Sequence, residues 1–535
     1  MIYLKFRLLQ NCYQERSVQW AVTTLQVVME SATSGKCKWL LVAALFALCV
    51  APTFLSYQPY VFRWDDSDYL GRSIAVSRAF WSGNLHAVNG AMVSWHPPAM
   101  TLLGLPWGPL ASWDAARNCF ITLAAVISLL ASSCLYLLLR IGVKPFLLVV
   151  ASVCVVASIG PYPWGSPAHA DATAFMADSL LAWTTLAVVL LIPYEARTPC
   201  PSMRGAIVRG ILCGSIVSLG AMTKVSFFYF IVLIVPILFL IRLHHGGLRS
   251  AFAWLIAFAC WSAPAAIYLV RYGRTAFAYA KGSSFGRTAD FYHIPLLQFL
   301  ASIIRTSPGL VLSFVFTATA LIYLVIKKQI ILLGVDFLAL LIMIGYGIVS
   351  LASSNREIRF LFPAIVALPF LTGILMSGEG HSAPARSAAL ATGLVFCGLF
   401  AACVPTRHRA NRQSLSRCDA VLAQAARCNA KRIVLATDSP TLNRDLMNLA
   451  IEVSASGASV SADTLAYQAM LGVPIEENFH AMSESDQVVF QDRGALSPSF
   501  TNQRVSEYER YIRQGASVPV RVGDDVSVYS MRCRP

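Results

Sequence analysis

Long apolar runs alternate with short polar stretches along most of this chain. Between residues 39 and 404 the apolar runs recur at lengths of roughly 20 residues, and a helix of that length spans a bilayer. The pattern predicts an all-α polytopic membrane protein with about 11 transmembrane helices across residues 39–404. The polar residues 1–38 are expected to form a cytoplasmic N-terminal segment.

Two apolar segments are too short to cross a bilayer. Residues 99–109 and residues 295–304 hold only about 10 residues each, and short apolar helices of this kind lie along the membrane surface. We therefore expect two interfacial helices.

The pattern changes after residue 404. Strand-like runs occur at 431–436 (KRIVLA) and 488–491, and helix-like stretches occur at 417–427 and 504–513. Such alternation predicts a small α/β domain over residues 405–535.

Charge supports a membrane protein and argues against a nucleic-acid partner. Charged residues make up only 13% of the 535 residues, whereas ordinary soluble domains hold about 25%. The net charge of +15 comes from Lys and Arg in short clusters between apolar runs, as the positive-inside rule requires. Lys36 and Lys38 precede the first span and predict a cytoplasmic N-terminus. Following the spans from there predicts an extracytoplasmic C-terminal domain.

The 14 cysteines do not indicate a metal site. Most lie inside apolar runs, and no Cys or His spacing matches a zinc site. Cys418, Cys428 and Cys533 lie in the polar tail and can pair if that tail is extracytoplasmic, but their spacing selects no pairing. No cofactor is predicted, and the requirement for a divalent metal is left open.

Charged side chains gather at the predicted outer ends of the spans. Such groups are costly near a membrane, so each is a candidate for function. The candidates are Asp65, Asp66, Asp68 and His96 in the first outer loop, Asp178 in the second, Lys224 at an outer turn, Arg287 and His293 in the third loop, and Arg356 and Arg359 at the next turn. Lys and Arg residues at the outer ends of the spans are unexpected, because the positive-inside rule places most of them on the cytoplasmic side.

This combination suits glycosyl transfer from a lipid phosphate. A carboxylate can take the proton of an acceptor hydroxyl, and cations can hold the departing phosphate. Simpler interpretations remain for single residues. The aspartates can be solvated loop residues, Lys224 can extend to the interface, and Arg356 and Arg359 can anchor anionic lipids.

Six motifs in order resemble the GT-C fold glycosyltransferases, particularly the branch of aminoarabinose transferases and protein O-mannosyltransferases. They are WDDSDYL with SGNL, SWHPPAMTLL, FMADSLLAWTTLAVVLL, GAMTKVSFF, SSFGRTADFYHIPLLQFL and REIRFLFPAIVALPFL, and they cover roughly residues 39–376. The resemblance implies a bacterial inner-membrane enzyme whose active site faces the periplasm or exterior. It further implies a polyprenyl-phosphate sugar as co-substrate, and a glycan, lipid or protein as acceptor.

The resemblance also implies roles for matching residues. Asp65 is the expected catalytic base beside Asp66, which stands where relatives often have Glu, and Asp178 is the expected supporting acid. The expected ligands of the donor phosphate are Lys224, Arg359, Arg356 and Arg287. His96, where relatives often have Lys, and His293 are expected to position the acceptor or a loop.

Other function classes remain open at this point. A transporter or flippase of a lipid-linked or charged substrate would place charges near the midplane, in helices broken at paired positions. A polysaccharide ligase or polymerase would also work at the outer face. Release of free polyprenyl phosphate from a lipid-linked sugar separates a transferase from a transporter.

Overall fold

The protein consists of two compact units. The computed structural model describes residues 64–92, 97–109, 113–159, 177–200, 202–285, 293–306, 308–326, 334–377, 408–439, 441–454, 460–469, 471–492, 502–515, 519–522 and 524–532. The helical unit comprises Met1–Ser56, Ser94–Ala99 and Leu123–Val404, and the α/β unit comprises Tyr57–Val93, Met100–Thr122 and Pro405–Pro535. The division into three domains expected from the sequence stays a prediction.

Helices form most of the described chain. They are α1 (Trp64–Trp81), α2 (Leu85–Met92), α3 (Trp113–Arg140), α4 (Pro145–Ile159), α5 (Ala177–Arg197), α6 (Met203–Thr223), α7 (Phe228–Phe285), α8 (Leu296–Thr306), α9 (Pro308–Ile326), α10 (Gly334–Ala352), α11 (Phe362–Met376), α12 (His408–Arg427), α13 (Arg444–Val453), α14 (Ile475–Glu484) and α15 (Val505–Gly515). Short 3-10 turns occur at Thr101–Trp107, Val225–Phe227 and Ile358–Leu361.

The helical unit has the lengths and composition of a membrane domain. Within the described residues, the segments long and apolar enough to cross a membrane are Ala177–Arg197, Met203–Thr223, Val225–Gly282, Gly334–Ala352 and Ile358–Met376. The length of these segments and the hydrophobic composition of the chain are those of an integral membrane protein. The predicted total of about 11 spans includes segments beyond the described residues and stays a prediction.

Helices α5 and α11 form the interior of the helical unit. The apolar stretch of Ala177–Arg197 is 94% buried and that of Ile358–Met376 is 78% buried. Trp183 of α5 meets Phe370 of α11 with ring centroids 6.5 Å apart. Side chains at the ends of these two helices are therefore held by segments that are largely buried among the described residues.

Helix α7 begins as the second arm of a hairpin with α6. The Phe227 ring, just before α7, packs against Gly220 in the last turns of α6. Farther along α7, Arg242 forms an ion pair with Glu195 near the end of α5. This first leg ends at Gly247, where φ is 67°, a left-handed conformation that glycine adopts without strain.

After Gly247 the chain runs back along α6. Gly210 lies against the Trp254 carbonyl and Gly214 lies against the Phe258 carbonyl, so residue numbers rise together along both helices. The second leg of α7 is therefore parallel to α6, and α7 reverses direction at Gly247.

The α/β unit contains a mixed five-stranded sheet in the order β2-β1-β3-β5-β4. Its strands are β1 (Arg432–Leu435), β2 (Ser461–Thr464), β3 (Gln487–Gln491), β4 (Val520–Val522) and β5 (Val526–Ser530). Strand β1 pairs in parallel with β2 and β3, whereas β5 pairs antiparallel with β3 and β4. The predicted α/β architecture of the tail is confirmed.

Cys418 and Cys428 are the tail cysteines that the structure describes. Cys418 is fully buried in α12, and burial raises the pKa of its thiol. The Cys428 sulfur lies 3.9 Å from the Ser530 hydroxyl. Cys418 and Cys428 therefore do not pair with each other, and Cys533 lies outside the described residues.

Both short apolar segments are helical. The segment predicted at 295–304 corresponds to α8, and the one predicted at 99–109 contains the 3-10 turn Thr101–Trp107. Their predicted location at the membrane surface stays a prediction.

Candidate active site

An ion pair between Asp178 and Lys224 forms the centre of the site in the helical unit. Asp178 lies in the first turn of α5, and its side chain is only 4% exposed. The Lys224 ammonium donates a hydrogen bond to the Asp178 carboxylate. A buried carboxylate needs such a partner, because an unpaired buried charge costs several kcal/mol. The two residues predicted as supporting acid and phosphate ligand are thus direct partners.

Lys224 lies at the C-terminal end of α6, where the backbone leaves the helical conformation. Lys224 ends α6 with extended φ and ψ of −158° and 141°, and a 3-10 turn follows it at Val225–Phe227. Its amide still donates to the Gly220 carbonyl, which satisfies the end of α6. The side chain leaves the helix end with 28% of its surface exposed, so its ammonium is paired and still accessible.

The Phe360 ring joins the two predicted phosphate-binding cations. The Lys224 ammonium lies 4.7 Å from the ring centroid, and the Arg359 guanidinium lies 5.2 Å from it. Cations within about 6 Å of an aromatic face are attracted by the ring quadrupole. Arg359 also forms an ion pair with Glu357, with Nε 2.6 Å from Oε2. Residues more than 130 positions apart therefore meet at one place.

Arg356 joins two chain segments by hydrogen bonds to backbone. Its Nε donates to the Leu351 carbonyl over 2.9 Å, and its Nη1 donates to the Ile294 carbonyl over 2.5 Å. His293 and Asn355 form an isolated antiparallel bridge beside these contacts. Arg356 and His293 thus lie together, and these contacts give Arg356 a structural role, whatever it does for phosphate.

The acidic first-loop motif forms the start of helix α1 in the α/β unit. Asp65 lies in the first turn and is half-buried. One turn further, Asp68 accepts hydrogen bonds from Arg72 over 2.8 and 2.9 Å. Asp68 is thus paired with Arg72, and the role of Asp65 as base stays a prediction.

A second helix of the α/β unit brings a further carboxylate, Asp445, to this end of α1. Arg444 and Asp445 form the first turn of α13 and are hydrogen-bonded to each other over 3.0 and 3.1 Å. Burial, together with the charges of Asp68 and Asp65, raises the pKa of Asp445 to about 6, although Arg444 acts in the opposite direction. Asp65, Asp68 and Asp445 therefore interact electrostatically.

Three predicted site residues cannot be placed. His96 and Arg287 lie outside the described residues, as does the side chain of Asp66. Their roles stay predictions.

Sequence reasoning did not single out four residues of these clusters: Phe360, Glu357, Arg444 and Asp445. Phe360 and Glu357 stand inside the motif REIRFLFP, but only its arginines attracted attention. The signal for them in the sequence was an aromatic residue, Phe360, directly after Arg359 and three positions after Glu357. Arg444 and Asp445 had none, because the α1 carboxylates that interact with them lie hundreds of residues away in the chain.

No group of three or more His, Cys, Asp or Glu side chains arranged to hold a metal ion occurs in the part of the chain that the structure describes.

The chain, with its apolar helices and small C-terminal sheet, has the GT-C fold. It is similar to the crystal structure of ArnT, an aminoarabinose transferase, from Cupriavidus metallidurans bound to undecaprenyl phosphate, with a TM-score of 0.57 and 13% identity over 92% of this chain and 98% of that chain. The apo structure of ArnT from Cupriavidus metallidurans gives a TM-score of 0.56 and 12% identity over 94% of this chain and 98% of that chain. The resemblance inferred from the sequence motifs is confirmed at the level of the fold.

Comparison of the sequence with known proteins found no relative, in contrast to comparison of the fold. No protein-family model matches the chain. No curated protein matches it by sequence.

Proposed function

We propose that this protein transfers a sugar from a polyprenyl-phosphate donor to an acceptor hydroxyl on the non-cytoplasmic side of its membrane. The observation that carries the proposal is the cluster of Lys224, Asp178, Arg359 and Phe360 in a GT-C-like fold. The likeness to an ArnT structure that holds undecaprenyl phosphate supports a lipid phosphate as the leaving group.

The proposed reaction is a single displacement at the sugar. The acceptor oxygen bonds to C1 of the sugar, while the bond from C1 to the phosphate oxygen breaks. The electron pair of that bond leaves with the polyprenyl phosphate, and the proton of the acceptor hydroxyl passes to the Asp65 carboxylate. This step needs no oxidant or reductant.

The cationic cluster suits a departing phosphate. An ammonium group has three N–H donors, and within the described residues Lys224 uses one of them for Asp178, so two remain for phosphate oxygens. Asp178 holds the ammonium in place, and the Phe360 ring lies close to both this ammonium and the Arg359 guanidinium. Cations fixed in advance stabilise charge that grows in the transition state without reorganising.

Binding of the lipid product tests the phosphate site without knowledge of the sugar or acceptor. Native mass spectrometry of the purified protein should detect retained undecaprenyl phosphate but much less undecaprenol, which lacks the phosphate. Arg359→Gln should weaken retention of undecaprenyl phosphate by ~10-fold, about 1.4 kcal/mol. Equal retention of the two lipids would contradict a phosphate site.

Arg197→Gln provides a matched control for that experiment. Arg197 forms an ion pair with Asp336 and lies at the other end of α5 from Asp178, about 28 Å away along the helix. Losing a cation there should leave lipid retention unchanged. Similar losses in Arg359→Gln and Arg197→Gln would indicate nonspecific attraction of an anionic lipid.

A second experiment tests transfer itself. Purified protein is incubated with synthetic polyprenyl-phosphate sugars and with envelope material as the source of acceptor, and release of polyprenyl phosphate is followed. Wild-type protein should release it, whereas Asp65→Asn should not. Lipid binding without release from any donor would favour a transporter or flippase.

A further inference from the structure

We infer that Glu357 competes with the lipid phosphate for Arg359 and thereby speeds release of the polyprenyl phosphate product. The inference rests on the proposed function, since the phosphate site is part of it. It adds to that site a carboxylate whose loss should strengthen product binding, whereas loss of Arg359 should weaken it.

Glu357 contacts Arg359 with both carboxylate oxygens. The Arg359 Nε lies 2.6 Å from Oε2, and Nη2 donates a hydrogen bond to Oε1 over 3.2 Å. Arginine binds carboxylates and phosphates through the same planar fork of N–H groups. The Nε–Nη2 side of this guanidinium therefore faces a carboxylate where a phosphate would bind it side-on.

The two residues are only two positions apart in the chain. Glu357 has extended φ and ψ of −121° and 143° and precedes the 3-10 turn Ile358–Leu361, which contains Arg359. The Glu357 carbonyl accepts a hydrogen bond from the Phe360 amide over 3.1 Å. Because the pair is this close in the chain, the carboxylate stays near the guanidinium when the ion pair opens, and it can return as the phosphate leaves.

Charge balance favours the departure of one carboxylate when a phosphate binds. The Lys224 ammonium is paired with Asp178. The Arg359 guanidinium is paired with Glu357, so these four charges sum to zero. A phosphate adds negative charge, and like charges at close range repel. Displacing one carboxylate into water keeps both cations available for the phosphate.

Glu357 is the carboxylate of this cluster that can move. Its side chain is 31% exposed, whereas that of Asp178 is 4% exposed. Rotation of the Glu357 side chain brings its carboxylate into water. Separating Asp178 from its partner would leave a buried charge uncompensated, which is strongly destabilising. Lys224 therefore has a fixed carboxylate partner, and Arg359 has an exchangeable one.

Competition by Glu357 acts more strongly on the product than on the donor. The donor is a phosphodiester with one negative charge. The product is a phosphomonoester, and such a group carries a charge of about −1.5 to −2 at pH 7. A nearby carboxylate opposes the additional charge. Glu357 therefore favours exchange of the product for a new donor.

The test measures retention of undecaprenyl phosphate by the full-length protein with native mass spectrometry. Glu357→Gln removes the charge at nearly constant size and should raise retention about 3–10-fold. If Glu357 served only to hold Arg359 in place, the same change would lower retention. In a double variant with Arg359→Gln, loss of the carboxylate should bring no gain, because the group it competes for is gone.

Asp336→Asn is the matched control for loss of a carboxylate. Asp336 forms an ion pair with Arg197, and its replacement should leave retention unchanged. A gain equal to that of Glu357→Gln would indicate a nonspecific effect of net charge and overturn the inference.

Product inhibition gives a second readout. Added undecaprenyl phosphate should inhibit transfer by Glu357→Gln at about 3–10-fold lower concentration than it inhibits wild type. Single-turnover transfer should stay close to that of wild type, because product release follows the chemical step. Glu357→Ala cannot bond to Arg359 and should show the same pattern.

The outcomes separate this inference from the proposed function. Transfer by wild type, with unchanged or weaker lipid retention in Glu357→Gln and Glu357→Ala, would overturn the inference and leave the function standing. Selective retention that Glu357→Gln strengthens, without transfer from any donor, would support the competition and overturn the transferase. Equal retention of undecaprenyl phosphate and undecaprenol, in wild type and in Glu357→Gln, would overturn both.

Discussion

Lys224 and Asp178 lie 46 residues apart in the chain and form a direct ion pair between the end of helix α6 and the start of helix α5. Because of this ion pair, a substitution of Lys224 affects the stability of the protein as well as its contact with phosphate. Removing the ammonium also leaves a carboxylate that is 4% exposed without its partner. Loss of activity after such a change can therefore come from instability as well as from lost contact with phosphate.

The single change Lys224→Met should lower both stability and donor use. Leaving one member of a buried pair uncompensated typically costs ~3–5 kcal/mol. The double variant Lys224→Met with Asp178→Asn removes both charges, so its thermal stability should return close to that of wild type. Donor use should remain at least ~10-fold lower in both variants. Recovery of activity in the double variant would show that Lys224 serves only to neutralise Asp178.

Asp65→Asn should abolish transfer and leave folding and lipid binding intact. Asparagine has nearly the same size but cannot accept the acceptor proton, and loss of a general base typically costs ~10²–10⁴-fold in rate. Asp66→Asn should cost less, since only one of two adjacent carboxylates can face the acceptor. Single-turnover transfer measures the effect, with thermal stability in parallel. An inactive Asp66→Asn beside an active Asp65→Asn would assign the base to Asp66.

Phe360→Leu should weaken donor use more modestly. Leucine keeps an apolar side chain but loses the ring face that attracts Lys224 and Arg359, and each such contact contributes about 0.5–1 kcal/mol. The KM for the donor should rise ~3–10-fold. Phe360→Tyr retains the ring and should behave like wild type. Equal effects of leucine and tyrosine would argue against the cation–ring contacts.

The stability of the α/β unit should depend on pH through Asp445. Its pKa is about 6 in the folded protein and 3.8 in the reference state, so the folded state binds more protons between these values. By linkage, this group makes folding less favourable as pH rises from about 4 to about 6, by at most about 3 kcal/mol. Asp445→Asn should therefore stabilise the unit at pH 7.5 and lose that advantage near pH 4. Hydrogen exchange of the β1 and β3 amides at both pH values measures the change, and a pH-independent difference would contradict it.

Gly210→Ala should destabilise the helical unit. A Cβ at residue 210 would lie 2.4 Å from the Trp254 carbonyl oxygen, which belongs to rigid backbone. Overpacking of this kind typically costs ~1–3 kcal/mol, and the small-residue spacing that allows close helix packing would be lost. Gly282→Ala is the control, since nothing lies within 4 Å of its Cβ position. Thermal unfolding in detergent should separate the two variants, and equal unfolding temperatures would contradict the close contact.

The sequence determined the class of the protein and much of its local structure. The lengths of its apolar runs require helices in a bilayer, because unpaired backbone groups are too costly there. The change of periodicity after residue 404 likewise predicted strand β1 and helices α12 and α15. These features depend on residues that are close together in the sequence, so a short stretch of the chain is enough to predict each of them.

The sequence also indicated part of the candidate site. Asp178, Lys224 and Arg359 stood out because charges at span ends are costly and seldom accidental. Their ordered motifs gave the GT-C resemblance that the fold supports. The motifs did not show that Asp178 pairs with Lys224, or that the Phe360 ring lies close to both Lys224 and Arg359.

Tertiary structure alone decided the contacts made over long separations. The pairing of Arg78 with Glu452 spans 374 residues, and no periodicity in either segment refers to the other. The reversal of α7 depends on a single φ at Gly247, which glycine permits but does not require. Side chains such as Arg444 and Asp445 gain their environment only when α13 packs on α1, because desolvation and nearby charge are properties of the folded arrangement.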